Sequence, residues 1–304
     1  MEAALVGVAA VWGLTFPMVK CSVERCDQIR GGFGLESATP IGPLVFMGFR
    51  FAIAAVALAA IGARLPRGMM KPAAGLGMAL FGGYAFQTLG LQRTSASNVA
   101  FITGLYVLMV PLMGAVLARR APPVTTVAGA MLATFGLFLM SSPAGVGLGF
   151  GEILVLGCAA SFAAHFYGTG LVAQRVSPMD FVLVQSIVAA AASFGAALIG
   201  GEMTLPRSGS IWAALLLTGV LASAVAFALQ TKAQKRIPAS RTAVILTAES
   251  IFGGLFGFLM LGERLGLRGT AGAALIVAGI LIAEALAREP DPARNLGRSG
   301  PEMD

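Results

Sequence analysis

Ten long apolar runs constrain this chain more than any other feature: near residues 3–20, 41–63, 72–91, 98–118, 124–140, 152–173, 180–200, 211–231, 242–261 and 269–287. Most match the roughly 20 residues a helix needs to cross a hydrocarbon core. In lipid every backbone N–H and C=O must be satisfied within the protein, so only helices and closed β-barrels span. Barrel strands show alternating segments of about ten residues, whereas these runs are continuous and rich in Ala, Leu and Gly. The sequence therefore predicts an all-α polytopic membrane protein with ten transmembrane helices. Composition agrees, since 57% hydrophobic and 12% charged residues leave too little charge to cover a soluble surface. The first run lacks a basic leader and an Ala-x-Ala site, so it reads as a retained helix.

A net charge of +7 raises the question of nucleic acid. The basic residues sit in short loops without a basic face or interleaved aromatics, so no nucleic-acid partner is expected. With the N-terminus in the cytoplasm, 13 Lys and Arg fall in or beside inner loops and tail, 7 in outer loops, and Arg50 within a span. That bias follows the positive-inside rule and predicts cytoplasmic termini in a plasma (bacterial inner) membrane. Cys21 and Cys26 share the first outer loop, where a disulfide and two free thiols are both open readings. Cys158 reads as a small packing residue.

The chain also repeats itself. "SASNVAFITGLYVLMVPLMG" (Ser95–Gly114) lies over "PASRTAVILTAESIFGGLFG" (Pro238–Gly257) at an offset of 143. In that register Tyr84, Gln87 and Thr88 meet Phe227, Gln230 and Thr231. "AGA" at Ala128–Ala130 meets "AGA" at Ala271–Ala273, and Gly136 meets Gly279. The offset drifts toward the N-terminus, where Pro43 aligns with Pro178 and Trp12 with Phe162. Two five-span units result, residues 1–141 and 150–287, followed by a Pro-, Gly- and charge-rich tail at 288–304 that reads as disordered. Five is odd, so the second unit enters the membrane from the opposite side, an inverted-topology repeat. Such repeats support alternating access, with substrate near the midplane between them.

"WGLTF" in span one, "QTLGLQRTSASNVAFITGLYVLMVP" across spans three and four, and "LTAESIFGGLFGFLMLGERL" at span nine resemble the EamA family of the drug/metabolite transporter superfamily. The resemblance covers roughly residues 5–285. It implies ten helices in two inverted halves and export of small metabolites, amino acids among them. Ser250 stands after Glu249 where family members often have Pro, and the loop from Cys21 to Pro40 is longer than the family leads one to expect.

Candidate site residues are the polar and aromatic groups within the spans. Tyr84, Gln87 and Thr88 share a helical face that Phe227, Gln230 and Thr231 repeat, which fits a packing seam or a shared cavity wall. His165 is the only histidine, set in a polar stripe with Cys158, Ser161 and Thr169. It reads either as a helix-to-helix hydrogen bond or as a functional intramembrane group. Glu249 is a carboxylate near mid-span, open to proton binding and release or to a static pair with Arg241, Arg50 or His165. Arg50 is expected to snorkel outward or pair with a carboxylate. Lys232 is expected to reach the inner interface, and Glu152 and Glu284 to be solvated. A central cavity is predicted from Trp12, Tyr84, Gln87, Tyr106, His165, Phe227, Gln230 and Glu249. Pro111 and the equivalent Gly253-Gly254 are predicted hinges, with close packing as the other reading for the glycines.

These readings converge on a secondary transporter that exports small metabolites by alternating access, with proton exchange as a candidate drive. Export of cationic drugs, with Glu249 as charge partner, is the alternative on the same fold. No Walker motif, HExxH pair, GxSxG elbow or paired intramembrane carboxylates occurs, so no catalytic residue, metal or cofactor is expected. The expected partners are a small-molecule substrate and membrane lipid; monomer and homodimer stay open. An intramembrane enzyme or structural protein would leave the inverted repeat unexplained.

Overall fold

The computed structural model describes residues 1–23, 41–66, 68–94, 96–119, 121–141, 149–261 and 266–285. Among them every regular element is helical, and they assemble into ten rods. Six rods are single or nearly single helices: α1 (Glu2–Val23), α2 (Pro43–Ala60), α3 (Met70–Leu91), α6 (Val124–Ser141), α7 (Phe150–Val172) and α8 (Pro178–Ile199). Rod four is broken into α4 (Ala96–Gly104) and α5 (Tyr106–Ala118). Rod eight runs α9 (Gly209–Leu217), a π-helical segment Thr218–Val225, and α10 (Ala226–Gln234). Rod nine runs α11 (Ala239–Leu246), α12 (Ala248–Phe256) and a π-helical segment Gly257–Leu261; α13 (Leu267–Ala285) closes the bundle. The Cys21–Cys26 pairing, the Glu284 side chain and the 288–304 tail lie outside the described residues.

Six of the rods are long and apolar enough to cross a membrane, and three further apolar helices are shorter. The remaining rod, α3, has 22 residues, but Tyr84, Gln87, Thr88 and several glycines dilute its hydropathy. Large apolar side chains such as Val56, Val116, Leu198 and Leu281 stay exposed around the bundle, as they do where lipid is the solvent. This is an all-α polytopic membrane protein.

Local signals set the same boundaries in both halves. Helices α2 and α8 each start with proline in the first turn, Pro43 and Pro178, where the missing N–H is no loss. Each also ends in a Schellman turn. Ala63 N–H reaches back to the Leu58 carbonyl past Gly62 (φ 92°), and Glu202 N–H to the Ala197 carbonyl past Gly201 (φ 68°). A left-handed residue at that place favours glycine because it carries no Cβ.

Packing follows the repeat. Rod one lies on rods eight and nine, and its counterpart rod six lies on rods three and four. The counterparts α2 and α8 pack together, as do α6 and α13. The repeated glycines explain the last contact. A Cβ on Gly129 would lie 2.6 Å from the Gly279 carbonyl oxygen, and one on Gly136 the same distance from the Gly272 carbonyl oxygen. At the 143 offset, Gly129 matches Gly272 and Gly136 matches Gly279, so the two contacts exchange under the repeat. Without side chains the backbones approach closely enough to form a tight crossing.

One pair of counterparts departs from this exchange. Besides its expected neighbours α1, α10 and α13, α11 packs across the bundle on α5, α6 and α7. Its counterpart α4 packs on the matching neighbours α3, α6 and α7 but, among the described residues, makes no comparable contact with α1, α12 or α13. Burial follows: Ala243 is fully buried, whereas its repeat mate Ala100 is exposed. Arg241, beside the start of α11, pairs with Glu2 at 3.0 Å, so α11 begins on the face where α1 begins. On that N-terminal face α11 thus closes across the bundle, a contact that α4 does not repeat among the described residues.

Candidate functional site

The two π-helical segments carry no signal that sequence periodicity detects, and one of them builds the centre of the molecule. Within Thr218–Val225 the backbone hydrogen bonds lengthen by one residue: the Ala226 N–H reaches the Leu221 carbonyl, five residues back. The Ala222 carbonyl is thus released from its α-helical partner. The Trp12 indole nitrogen donates to it at 2.8 Å. One residue on, the Ser223 hydroxyl oxygen accepts a 2.7 Å hydrogen bond from Arg50 Nε. π-Segments recur at functional sites because they present backbone and side-chain groups that a regular helix hides.

Aromatic rings surround these two contacts. Trp12 meets Phe227 with ring centroids 5.2 Å apart, Phe51 meets Tyr84 at 5.6 Å, and Tyr84 meets Phe162 edge-on at 5.2 Å. Tyr106 stacks on Phe166 at 5.1 Å, and His165 stands edge-on to Phe227 at 5.7 Å. Five of the predicted residues (Trp12, Tyr84, Tyr106, His165 and Phe227) thus belong to one aromatic assembly contributed by rods one, three, four, six and eight. Phe51, Phe162 and Phe166 complete it; their apolar neighbourhoods in sequence give no sign of this.

Arg50 departs from expectation. It neither snorkels out nor pairs with a carboxylate: the residue is 3% exposed, and no described carboxylate lies within 4.0 Å of it. Its guanidinium carbon sits 5.3 Å from the Tyr84 ring centroid and 5.7 Å from that of Phe51. Arg50 Nη2 also faces the Tyr84 hydroxyl oxygen at 3.5 Å. Cation–π contact and one strong hydrogen bond offset part of the desolvation cost of a buried charge.

Glu249 is half-buried in the first turn of α12. It makes no hydrogen bond or ion pair among the described residues, and it lies within electrostatic range of Arg50, Tyr84 and Tyr106. Its other expected partners are engaged elsewhere: Arg241 with Glu2, and His165 with Gln185 at 3.4 Å. Gln185 is the repeat mate of Arg50. Glu152, expected to be solvated, accepts a hydrogen bond from the Thr94 hydroxyl, while Lys232 is exposed.

The two predicted glutamines leave the aromatic assembly. Gln87 donates to the Thr103 hydroxyl at 3.4 Å, beside Cys158, whose thiol lies 3.6 Å from the same oxygen. Gln230 is fully buried and donates to Gln234 Oε1 at 3.2 Å; Gln234 in turn donates to the Phe166 carbonyl at 2.9 Å. Around them lie buried atoms with no hydrogen-bond partner among the described residues: His165 Nδ1, Thr169 Oγ1, Gln185 Nε2, Ser186 Oγ, Gln230 Oε1 and Thr242 Oγ1. Chain direction puts all of them between the middle of the bundle and the N-terminal face that α11 closes.

The helix breaks do not coincide with the expected hinges Pro111 and Gly253-Gly254. The helix breaks fall at Leu105 and Thr247, each six residues before Pro111 or Gly253. At both breaks the backbone tightens to i→i+3 bonds: Leu105 to Ile102 and Leu108 to Leu105, then Thr247 to Val244 and Ser250 to Thr247. Pro111 lies inside a continuing helix. Gly13 of α1 packs closely on the Gly253 backbone, since a Cβ on Gly13 would lie 2.7 Å from the Gly253 nitrogen. An apolar cleft of about 460 Å³ lined by Met109, Leu112, Met113 and Val116 opens on the outside of the bundle and lacks polar side chains suited to a solute.

The comparisons accord with this architecture. The model of the EamA-like transporter family matches residues 2–142 and again 149–284. An uncharacterized transporter of Archaeoglobus fulgidus is 30% identical over 275 residues, 90% of this chain and 82% of the relative. The uncharacterized transporter YcxC of Bacillus subtilis is 26% identical, covering 88% of each chain. The crystal structure of another protein shares the fold at a TM-score of 0.76 and 21% identity, over 94% of this chain and 97% of that one. With ten helical rods and the family pattern across both halves, the chain belongs to the EamA-like transporter family.

Proposed function

We propose that this transporter exports small metabolites, amino acids among them, by alternating access, with Glu249 coupling movement to protons. The observation that carries the reading is the unequal placement of repeat counterparts: α11 closes across the bundle on α5, α6 and α7, whereas α4 makes no matching contact among the described residues. Two nearly equivalent units held in different arrangements have an energetically similar alternative, in which their roles exchange. The unpartnered polar atoms beneath the aromatic assembly support the same reading. A permanently dry core loses about 1–3 kcal/mol for each unsatisfied group. A path that becomes wet when α11 swings away gives those groups water.

In this reading the N-terminal face is cytoplasmic, as the distribution of Lys and Arg favours, and it is the face that α11 closes in the form described. The repeats are residues 1–141 and 150–287. Glu249, half-buried and without a hydrogen-bond or ion-pair partner among the described residues, changes its hydration as α12 moves and so carries the proton. The same lack of a partner favours a second reading, in which Glu249 holds the charge of a cationic drug. Uptake into proteoliposomes of labelled amino acids and organic cations, with and without a pH gradient, tests both. Gradient-stimulated amino-acid flux supports the first reading, cation flux alone the second, and no flux of either removes both.

A further inference from the structure

We infer that Arg50 is the recognition point for a carboxylate on the transported solute; this deepens the transport reading and rests on it. Arg50 is one of 21 basic residues, but unlike those in the loops it lies within a span and is 3% exposed. Ordinary structural roles for such a residue require a close counter-ion or a route to the interface; among the described residues it has no carboxylate within 4.0 Å, Glu249 lying within electrostatic range only, and no route outward. Its Nε is occupied by Ser223, which fixes the plane of the guanidinium against the π-segment. The Nη2 contact to Tyr84 is long, at 3.5 Å, and readily exchanged for a stronger acceptor. A carboxylate is that acceptor, because the planar fork of arginine matches its two oxygens and charge-assisted bonds are stronger than neutral ones.

The surroundings specify the rest of the solute. Phe51, Tyr84 and Phe227 form an apolar wall beside Arg50, which suits an aromatic or branched aliphatic body. Glu249 is not ion-paired with Arg50, so the guanidinium stays available. The repeat supplies a contrast: at the equivalent place in the second half stands neutral Gln185, bonded to His165. Arg50 is thus a feature of one half only, as expected of a group that reads a polar end rather than one that serves the fold.

The test uses purified full-length protein in detergent with Trp212→Phe, which leaves Trp12 as the sole tryptophan and a reporter inside the site. Phenylacetate, phenylalanine, phenylacetamide and phenethylamine are titrated against Trp12 emission and thermal unfolding. At least one of the two carboxylate probes is expected to bind, and to bind more tightly than both compounds lacking a carboxylate. Arg50→Gln is expected to weaken that probe by about tenfold or more, as for loss of a charge-assisted hydrogen bond. Ser223→Ala, which keeps the guanidinium, is expected to retain the preference. If Arg50→Gln does not fold, Arg50→Lys decides: carboxylate binding is expected to weaken severalfold with phenylacetamide unchanged. Binding of no carboxylate probe, tighter binding of phenethylamine, or unchanged carboxylate affinity in the folded Arg50 variants overturns the assignment. Carboxylate binding through Arg50 without flux in proteoliposomes overturns transport instead and leaves the site standing, whereas flux of amines alone does the reverse.

Discussion

The indole nitrogen of Trp12 donates to the Ala222 carbonyl at 2.8 Å, joining residues 210 positions apart in sequence and in opposite repeat units. The bond exists because the π-helical segment releases that carbonyl. Trp12 also packs on Phe227, so the contact clamps the start of one repeat to the middle of the other.

Trp12→Phe keeps the ring and removes the donor. It is expected to lower stability by about 1 kcal/mol, the typical net worth of a buried hydrogen bond. Thermal unfolding in detergent measures this, and an unchanged midpoint would show that the Ala222 carbonyl is satisfied equally well without the indole.

The glycine crossing of α6 and α13 gives a second expectation. Gly279→Leu has no room, because even a Cβ there would lie 2.6 Å from the Gly129 carbonyl oxygen. Overpacking of this kind costs about 1–3 kcal/mol. Gly195→Ala is the control, since nothing lies within 4 Å of its added Cβ. The first variant is expected to lower the unfolding midpoint clearly and the second to leave it level or higher.

Pro111 lies six residues beyond the break at Leu105. Its ring crowds the carbonyl of Val107 and removes a hydrogen bond there. Pro111→Ala is expected to restore that bond, extend α5 back through Leu105 and slow transport at normal expression. Backbone hydrogen exchange across 102–108 reports the extension as increased protection. Unaltered exchange and unaltered transport would leave Pro111 as a packing residue.

Glu249→Gln keeps shape and hydrogen bonding while removing titration. With protons coupled at this residue, the variant is expected to lose pH-gradient-driven accumulation and to keep substrate exchange. Full gradient-driven accumulation by the variant would rule out the coupling role.

Much of the fold was legible because lipid removes alternatives: a continuous apolar run has almost no choice but to be a helix. The glycines of the α6–α13 crossing were visible as repeated letters, and the structure supplies the reason for their repetition. Five of the candidate residues fall in one aromatic assembly, and they were legible because large aromatics and a lone histidine stand out in an Ala- and Leu-rich chain. Gln87 and Gln230 could not be placed, since helical spacing fixes a face but not what the face meets. Arg50 was misjudged for a related reason: its hydrogen-bond partner Ser223 is supplied by a π-segment 173 residues away, which periodicity does not register. The helix breaks fall away from Pro111 and Gly253 because proline and glycine mark where a helix is weak, whereas the breaks depend on tertiary contacts of the segments on either side.

The central claim is that the two faces open reciprocally, and distances between spin labels test it most directly. Arg119 and Arg236 are exposed at the ends of α5 and α10 on the N-terminal face; Arg93 and Arg268 are exposed beside α3 and α13 on the opposite face. Labels at each pair, measured by pulsed electron resonance in lipid, report the separation across each face. When a transported solute or a change of pH shifts the population, the first distance is expected to lengthen while the second shortens. Both distances lengthening together, or neither changing in any condition that supports flux, would contradict the account.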